Sequence, residues 1–506
     1  MFKPELLSPA GSFEKMVTAI SYGADAVYLA GQKYGLRSAA DNFSIDEIEK
    51  AVEFAHARKA KIYVVLNSFL HDADMRDLSQ FVRQCERHRV DGVIVSDLGV
   101  VSVVAQCSSI PIHLSTQASC LNEHSGQIWK KMGVKRLIFG REVSIEQAGR
   151  IKRATGLEVE LFIHGSMCMA YSGNCTISNF TKGRDSNRGG CAQSCRFEYN
   201  LDISDGPSPG ARALSGASSE VAVGAVNGSH GTQKRDHTFF MSSKDLMGIE
   251  LIPDFVEAQI DSVKIEGRMR SPLYAGMISK IYREALDEFS DEFSAEFGAE
   301  YQQGGAQLAQ RSQWVGYAQK WSDDLERLPH RDYMTGSLEQ PASESSVFNE
   351  GKPESVRPTY QILAVTKKVV TKTPTARESF VLAEVRGPFS NTDEVMAVPF
   401  RGPMVSLAGL NHVSGNGNSE GSGGNGRTVG LGNALGVPLE KAKASTLVRL
   451  PYYEAAAPGQ IITKLGSASA ARSEKISEVV SAEPVAEADT VPATGAMGEP
   501  GLGVAQ

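Results

Sequence analysis

Four of the seven cysteines in this 506-residue chain, Cys168, Cys175, Cys191 and Cys195, fall in one stretch with the spacing C-x6-C-x15-C-x3-C. Thiols gathered in this way can pair as disulfides, supply a nucleophile, or ligate a metal. The N-terminal stretch MFKPELLSPAGSFEK lacks the basic-then-apolar order of a signal peptide. The chain is therefore expected in the cytoplasm, where thiols stay reduced and disulfides are disfavoured. His164, four residues before Cys168, makes a Cys–His nucleophilic pair conceivable. Two G-x-S-x-G strings, GPSPG (206–210) and GNSEG (417–421), sit in loop-like sequence without the strand-to-helix turn of a nucleophile elbow, and no H-E-x-x-H occurs. For metal ligation, only Cys191 and Cys195 are closely spaced. The longer intervals suit a larger object gripped from several loops, and Gly165, Gly173, Gly183, Gly189 and Gly190 permit the turns. Residue types alone leave an iron–sulfur cluster, a zinc ion and no metal as open readings.

The elements that would position these residues are legible as alternating strand and helix patterns. Apolar runs occur at ELLSP (5–9), DAVYLAG (25–31), KIYVVLN (61–67), DGVIVSD (91–97), IPIHLSTQ (110–117), KRLIFGRE (135–142), EVELFIHG (158–165) and DSVKIEGR (261–268). Helical segments follow the first six, one of them opened by Ser44 with Glu47 three residues on, the signature of a capping box. Eight such strands predict a (βα)8, TIM-barrel-like domain, with an open doubly wound sheet as the competing topology. The cysteine-rich insertion then lies after strand seven. In a barrel of this kind chemistry sits at the C-terminal strand ends. Those ends carry Ser8, Tyr28, Asn67, Asp97, Gln117, Arg141, Glu142, His164, Glu266 and Arg268. Of these, His164, Glu266, Arg268 and Arg141 are the catalytic candidates. Lys264 shares a strand face with Glu266 by alternation and is expected to partner it.

The barrel domain is expected to span 1–335, interrupted by a Gly/Ser/Ala-rich segment at 205–235 that reads as disordered. A polar linker (336–356) leads to short strands at 357–465, read as a small β-barrel with a flexible loop at 411–433, and the Ala/Glu/Pro-rich tail 466–506 reads as disordered. Lys367, Lys368, Lys372, Arg386 and Arg401 give the small domain basic groups that could contact phosphate or be ordinary scattered surface charges. No apolar run approaches the ~18 residues of a membrane span, and a net charge of −7 excludes a strongly basic nucleic-acid binder.

ELFIHGSMCMAYSGNCTIS, with ELLSPAG, YGADAVYLAG, PIHLSTQA, NRGGCAQSCRFEY, FMSSKDL, SVKIEGRMRSPLY, EVRGPF and GQIITK, resembles the collagenase-like peptidase family across roughly residues 3 to 465. Within it the chain is similar to the bacterial tRNA-uridine hydroxylation subgroup. The resemblance implies oxygen-independent C5 hydroxylation of a tRNA wobble uridine, a [4Fe–4S] cluster, and prephenate as the hydroxyl-donating co-substrate. Cys168, Cys175 and Cys191 match the ligand pattern of cluster-bearing relatives; Cys195 is added from its C-x3-C pairing. Met247 stands where many relatives have a cysteine. Because prephenate is a dicarboxylate, Arg141 and Arg268, with Gln117 and Asn67 beside them, are the expected donor-binding residues. The implied partner is tRNA, with no membrane, and nothing in the sequence sets the oligomeric state. The competing reading is a peptidase acting on collagen-like or other polypeptides.

Overall fold

Eight parallel strands close into a ring. β1 (Glu5–Pro9), β2 (Ala26–Ala30), β3 (Lys61–Leu66), β4 (Gly92–Val95), β5 (Ile112–Leu114), β6 (Val134–Ile138) and β7 (Glu158–Ser166) pair in chain order, and β8 (Ser262–Ile265) pairs in parallel with both β1 and β7. This is the TIM-like barrel expected from the sequence, and the second pairing of β8 excludes the open sheet. The computed structural model describes residues 2–36, 41–197, 199–200, 237–239, 241–293, 307–339, 360–370, 379–390, 393–407, 432–433, 441–453 and 455–465. The segments 205–235 and 466–506, and the loop 411–431, lie outside the described residues.

The outer layer follows from local chemistry. Helices α1 (Phe13–Ser21), α2 (Ile45–His56), α3 (Leu78–Arg87), α4 (Leu98–Cys107), α5 (Glu123–Lys131), α6 (Ile145–Thr155) and α7 (Pro272–Glu288) surround the ring. Side chains of Ser12, Asp97, Asn122, Ser144 and Ser271 accept first-turn backbone N–H groups, so each helix starts at a defined point past its strand. Ser44 and Glu47 form the expected capping box. The apolar helix faces and the outward strand faces make one continuous core. A second cluster, including Leu7, Tyr28, Tyr63, Val65, Ile94 and Ile138, fills the barrel interior. No helix among the described residues is long and apolar enough to cross a membrane.

β7 runs past the ring. Its last residues, His164 to Ser166, pair antiparallel with Asp245–Met247, which in turn pairs in parallel with Tyr333–Met334. These two short strands are absent from the sequence reading. Helix α8 (Gln307–Glu326) buries Trp314 and Trp321, and its Leu325 carbonyl accepts the Tyr333 hydroxyl at 3.2 Å. Residues 336–339, assigned above to a linker, pack: Leu338 is buried and its carbonyl accepts the Ile145 N–H at 2.9 Å.

The second sheet is an antiparallel half-barrel of seven strands. They are β9 (Tyr360–Val370), β10 (Phe380–Val385), β11 (Met396–Val398), β12 (Val405–Ser406), β13 (Gly432–Asn433), β14 (Leu447–Pro451) and β15 (Ile461–Leu465), in the order β12-β11-β15-β9-β10-β14-β13. Gly432 and Asn433, part of the expected flexible loop, thus form an edge strand. The sheet docks on α1 and α7. The buried Tyr22 hydroxyl donates to Val398 O (2.8 Å) and accepts from Ile461 N–H (2.7 Å), and Gly402 N–H donates to Glu284 (2.9 Å).

Candidate functional site

A cavity of about 650 Å³ opens at the C-terminal strand ends. The turn after β3 supplies Asn67, whose amide donates to Ser115 Oγ (3.1 Å) and Gln117 Oε1 (3.0 Å) beyond β5, while Ser115 Oγ itself donates to Gln117. These bonds hold a polar wall in one arrangement. Arg141, beyond β6, lies 4.0 Å from the centroid of the Phe162 ring, and its Nε–H has no hydrogen-bond partner among the described residues. Glu266 and Arg268 follow β8 on the opposite side. The Tyr28 hydroxyl donates to Ile265 O (2.9 Å) and approaches Glu266 Oε2 (3.4 Å). Gly165 lets the strand ends meet: its φ is +107°, and a Cβ there would stand 2.5 Å from Glu266 O.

Lys264 reaches the cavity from the barrel interior. Its ammonium donates to Glu160 Oε1 at 2.8 Å and sits over the Tyr28 ring, 4.1 Å from the centroid. Glu160 also accepts from Arg136 (3.2 Å), which in turn bonds Glu5 (2.7 Å) and Glu158 (2.8 Å). Burial lowers the Lys264 pKa, with Glu160 opposing that shift. The sequence reading paired Lys264 with Glu266, whereas its hydrogen bond goes to Glu160.

The cysteine loop folds over the cavity as a series of short turns. Cys168 follows β7, Cys175 follows the turn Tyr171–Gly173, Cys191 follows the turn Ser186–Arg188, and Cys195 lies in the turn Ser194–Arg196. Glu142 Oε1 accepts the Ser172 N–H (2.6 Å), and Asn187 bonds both backbone groups of Cys175 (3.3 and 3.1 Å). Ser178 Oγ accepts Ala192 N–H (3.0 Å), and Thr181 donates to Ser194 (2.7 Å). All four thiols line the cavity and none is in a disulfide. Burial raises the pKa of Cys175 and of Cys195, and the neighbouring Cys168 and Cys191 push each further up.

Among the described residues, no three Cys, His, Asp or Glu side chains are drawn together as the ligands of one ion. Four cysteine thiols lining one cavity are a donor set that both an iron–sulfur group and a zinc ion take, and Cys168, Cys175, Cys191 and Cys195 are the residues that would hold either.

Beside the thiols stands a cationic group whose Asp245, Arg270 and Arg331 the sequence reading did not assign to the site. Asp245 accepts two bonds from the Arg331 guanidinium (2.6 and 3.1 Å) and one from Arg270 (3.3 Å). Burial alone would raise the Asp245 pKa, but these charges outweigh it and hold the carboxyl below the usual range. Arg196, half-buried and facing the Arg331 and Arg270 charges, is lowered to about 10. Arg196 and Arg270 line the cavity. Asp245 and Arg270 occur within the SSKDL and MRSPLY stretches, but only pairing of Asp245–Met247 with the end of β7 brings them to the thiols.

His164 is not brought into the cavity. Opposite β8, Lys264 pairs with Phe162 but Ile265 pairs with His164, so Ile163 is an extra residue that reverses the alternation. His164 turns away and packs among Tyr274, Tyr282 and Tyr333, its Nδ1 3.1 Å from the Tyr282 hydroxyl. Burial lowers its pKa to about 3, leaving a neutral packing residue. Other strand-end groups are structural: Asp97 caps α4, and Ser8 bonds Ser279 at 2.8 Å. In the second sheet Lys367 pairs with Glu384, Arg386 with Glu14 and Glu384, and Arg401 with Asp287, so these charges are engaged within the chain. Lys372 lies outside the described residues.

A sequence model of the family described as Peptidase family U32 matches residues 11–343. The tRNA hydroxylation protein P1 of Bacillus subtilis is 38% identical over 405 residues, covering 80% of this chain and 84% of that protein. The 23S rRNA 5-hydroxycytidine C2501 synthase of Escherichia coli is 34% identical over 283 residues, 56% of this chain and 39% of that protein. A collagenase of Porphyromonas gingivalis is 27% identical over 297 residues, 56% of this chain and 66% of that protein.

Proposed function

This chain belongs to peptidase family U32, and from that premise we propose that it is a tRNA-modifying enzyme that hydroxylates C5 of the wobble uridine without molecular oxygen. The observation that carries the reading is the joining of four thiols and a set of arginines around one cavity at the strand ends. Two relatives named for RNA hydroxylation, at 38% and 34% identity, support the same reaction class.

The thiols would hold a [4Fe–4S] cluster. Bound there, it would supply electron transfer or Lewis-acid chemistry. The chain's own residues do the rest. Arg141 and Arg268 present guanidinium groups to a dicarboxylate donor such as prephenate, in the bidentate geometry arginine favours. Asn67, Ser115 and Gln117 offer an ordered polar wall to the edge of a base. Glu266, steadied by Tyr28, is placed to hold or take a proton at its carboxylate. The target base lies in a single-stranded loop, as sequence-specific RNA recognition usually requires. A protein that works on tRNA would act in the cytoplasm.

The peptidase alternative needs an activated nucleophile. Among the described residues no histidine lines the cavity, and His164 is turned away from the thiols, so no Cys–His nucleophilic pair is assembled there. The test is mass spectrometry of tRNA nucleosides from a strain lacking the protein, with and without complementation. Disappearance and restoration of 5-hydroxyuridine derivatives supports the proposal. Unchanged modification in the deletion strain, with no redundant enzyme, overturns it.

A further inference from the structure

Large apolar side chains exposed to solvent are concentrated on and beside the cysteine loop that walls the cavity. Of the eleven such residues among those described, Met169, Tyr171, Phe180 and Phe197 belong to the cysteine loop itself. Two more adjoin it: Met269 lines the same cavity as Met169, and Phe69 exchanges backbone contacts with Asn187 and Arg188 (2.9 and 2.7 Å). A soluble surface does not group such residues without a partner to cover them. Phe180 is 88% exposed and Tyr171 is 61% exposed. Phe180 lies on the short helix Ile177–Lys182, whose first two residues line the cavity.

Two exposed cations stand beside these rings. Lys182 sits over the Phe197 ring at 5.4 Å, and Arg184 follows it on the surface. Arg188 is already engaged, by Asp74 at 2.8 Å and by the Phe69 carbonyl at 2.7 Å. Asp185, next in the chain after Arg184, accepts the Asn187 N–H at 2.9 Å. Exposed rings interleaved with cations match single-stranded nucleic acid: bases stack on the rings and phosphates meet the cations. The position matters as well. A base that enters the cavity must leave its neighbours, and rings at the rim replace the stacking it gives up.

We propose that Phe180 and Tyr171 are a stacking platform for the nucleotides flanking the target base in a single-stranded RNA loop, with Lys182 and Arg184 holding their phosphates. This deepens the tRNA reading and rests on it.

The test is titration of a labelled anticodon stem-loop RNA into anaerobically prepared full-length protein. Phe180→Ala and Tyr171→Ala are each expected to weaken binding roughly 5- to 150-fold, the range a base–aromatic stack confers. Phe180→Leu should weaken it similarly, because leucine is apolar without a π face, whereas Phe180→Trp should retain affinity. Lys182→Ala and Arg184→Ala should each lower the slope of log affinity against log salt by about one. Iron content should stay at the wild-type level in all of them, since these side chains lie at the surface. If the wild-type protein binds the stem-loop and the two alanine variants bind as tightly, the platform is overturned and the exposed rings belong to a protein partner. If the wild-type protein does not bind the stem-loop, the tRNA reading itself fails.

Discussion

Lys264 and Glu160 form an ion pair at 2.8 Å inside the barrel, each with almost no exposed surface. The pair ties the cavity to the charged interior, because Glu160 also bonds Arg136 and Arg136 bonds Glu5. Buried pairs of this kind contribute little against an apolar replacement of both partners, but removing one leaves a stranded charge. Lys264→Met and Glu160→Gln are each expected to destabilise the protein by ~3–5 kcal/mol, with the double variant costing less than the sum. Urea unfolding of the four proteins gives the coupling directly, and additive single-variant costs would show that the two do not interact.

The four thiols should act as a set. Alanine at Cys168, Cys175, Cys191 or Cys195 is expected to deplete iron and sulfide in anaerobically purified protein. Full iron retention in the Cys195 variant would remove that residue from the ligand group.

Arg141→Gln and Arg268→Gln should raise the KM for the dicarboxylate donor by about 10- to 150-fold, the equivalent of losing hydrogen bonds to a charged group at ~1.5–3 kcal/mol. Arg141→Lys should restore little, because an ammonium lacks the planar fork. An unchanged donor KM in both variants would move the donor site elsewhere.

His164 should stay neutral throughout the working range, since its pKa is lowered to about 3. Its imidazole resonances are expected not to move between pH 5 and 8. With the folded pKa below the unfolded value of ~6.5, the unfolded chain takes up a proton first. The His164 contribution is therefore intact above that value and lost as pH falls towards 3. A titration of His164 near neutrality would put it back among the catalytic candidates.

Asp245 titrates with the same outcome by a different route. Arg331 and Arg270 hold its carboxyl below the usual carboxylate range. The resulting stability is fully present above the unfolded pKa of ~3.9 and is lost as pH falls through the lower folded value. Asp245→Asn should flatten that acid limb of the urea midpoint against pH, while leaving Arg331 buried without its counter-charge at a cost of ~3–5 kcal/mol. An identical acid limb in the variant would mean that other carboxylates control it.

Much of the architecture is local in origin and could be read from the chain. Continuous apolar runs such as AVYLA and KIYVVL mark buried parallel strands, and Ser44 with Glu47 marks a helix start, because propensity, alternation and capping act over a few residues. The clustering of Cys168, Cys175, Cys191 and Cys195 likewise marked one place in the chain, and strand ends pointed to Asn67, Gln117, Arg141, Glu266 and Arg268, all of which line the cavity. Three matters were settled only by the folded chain. One extra residue, Ile163, in the pairing of β7 with β8 turned His164 out of the site, and a bulge is a property of two strands rather than one. Lys264 bonds Glu160, 104 positions away, instead of the Glu266 beside it. Asp245 meets Arg331 across 86 positions, on a short strand with no periodicity to reveal it. Pattern in a sequence records what neighbours along the chain require. Partners brought together by barrel closure leave no such trace, because the free energy that selects them comes from burial and charge pairing at a distance.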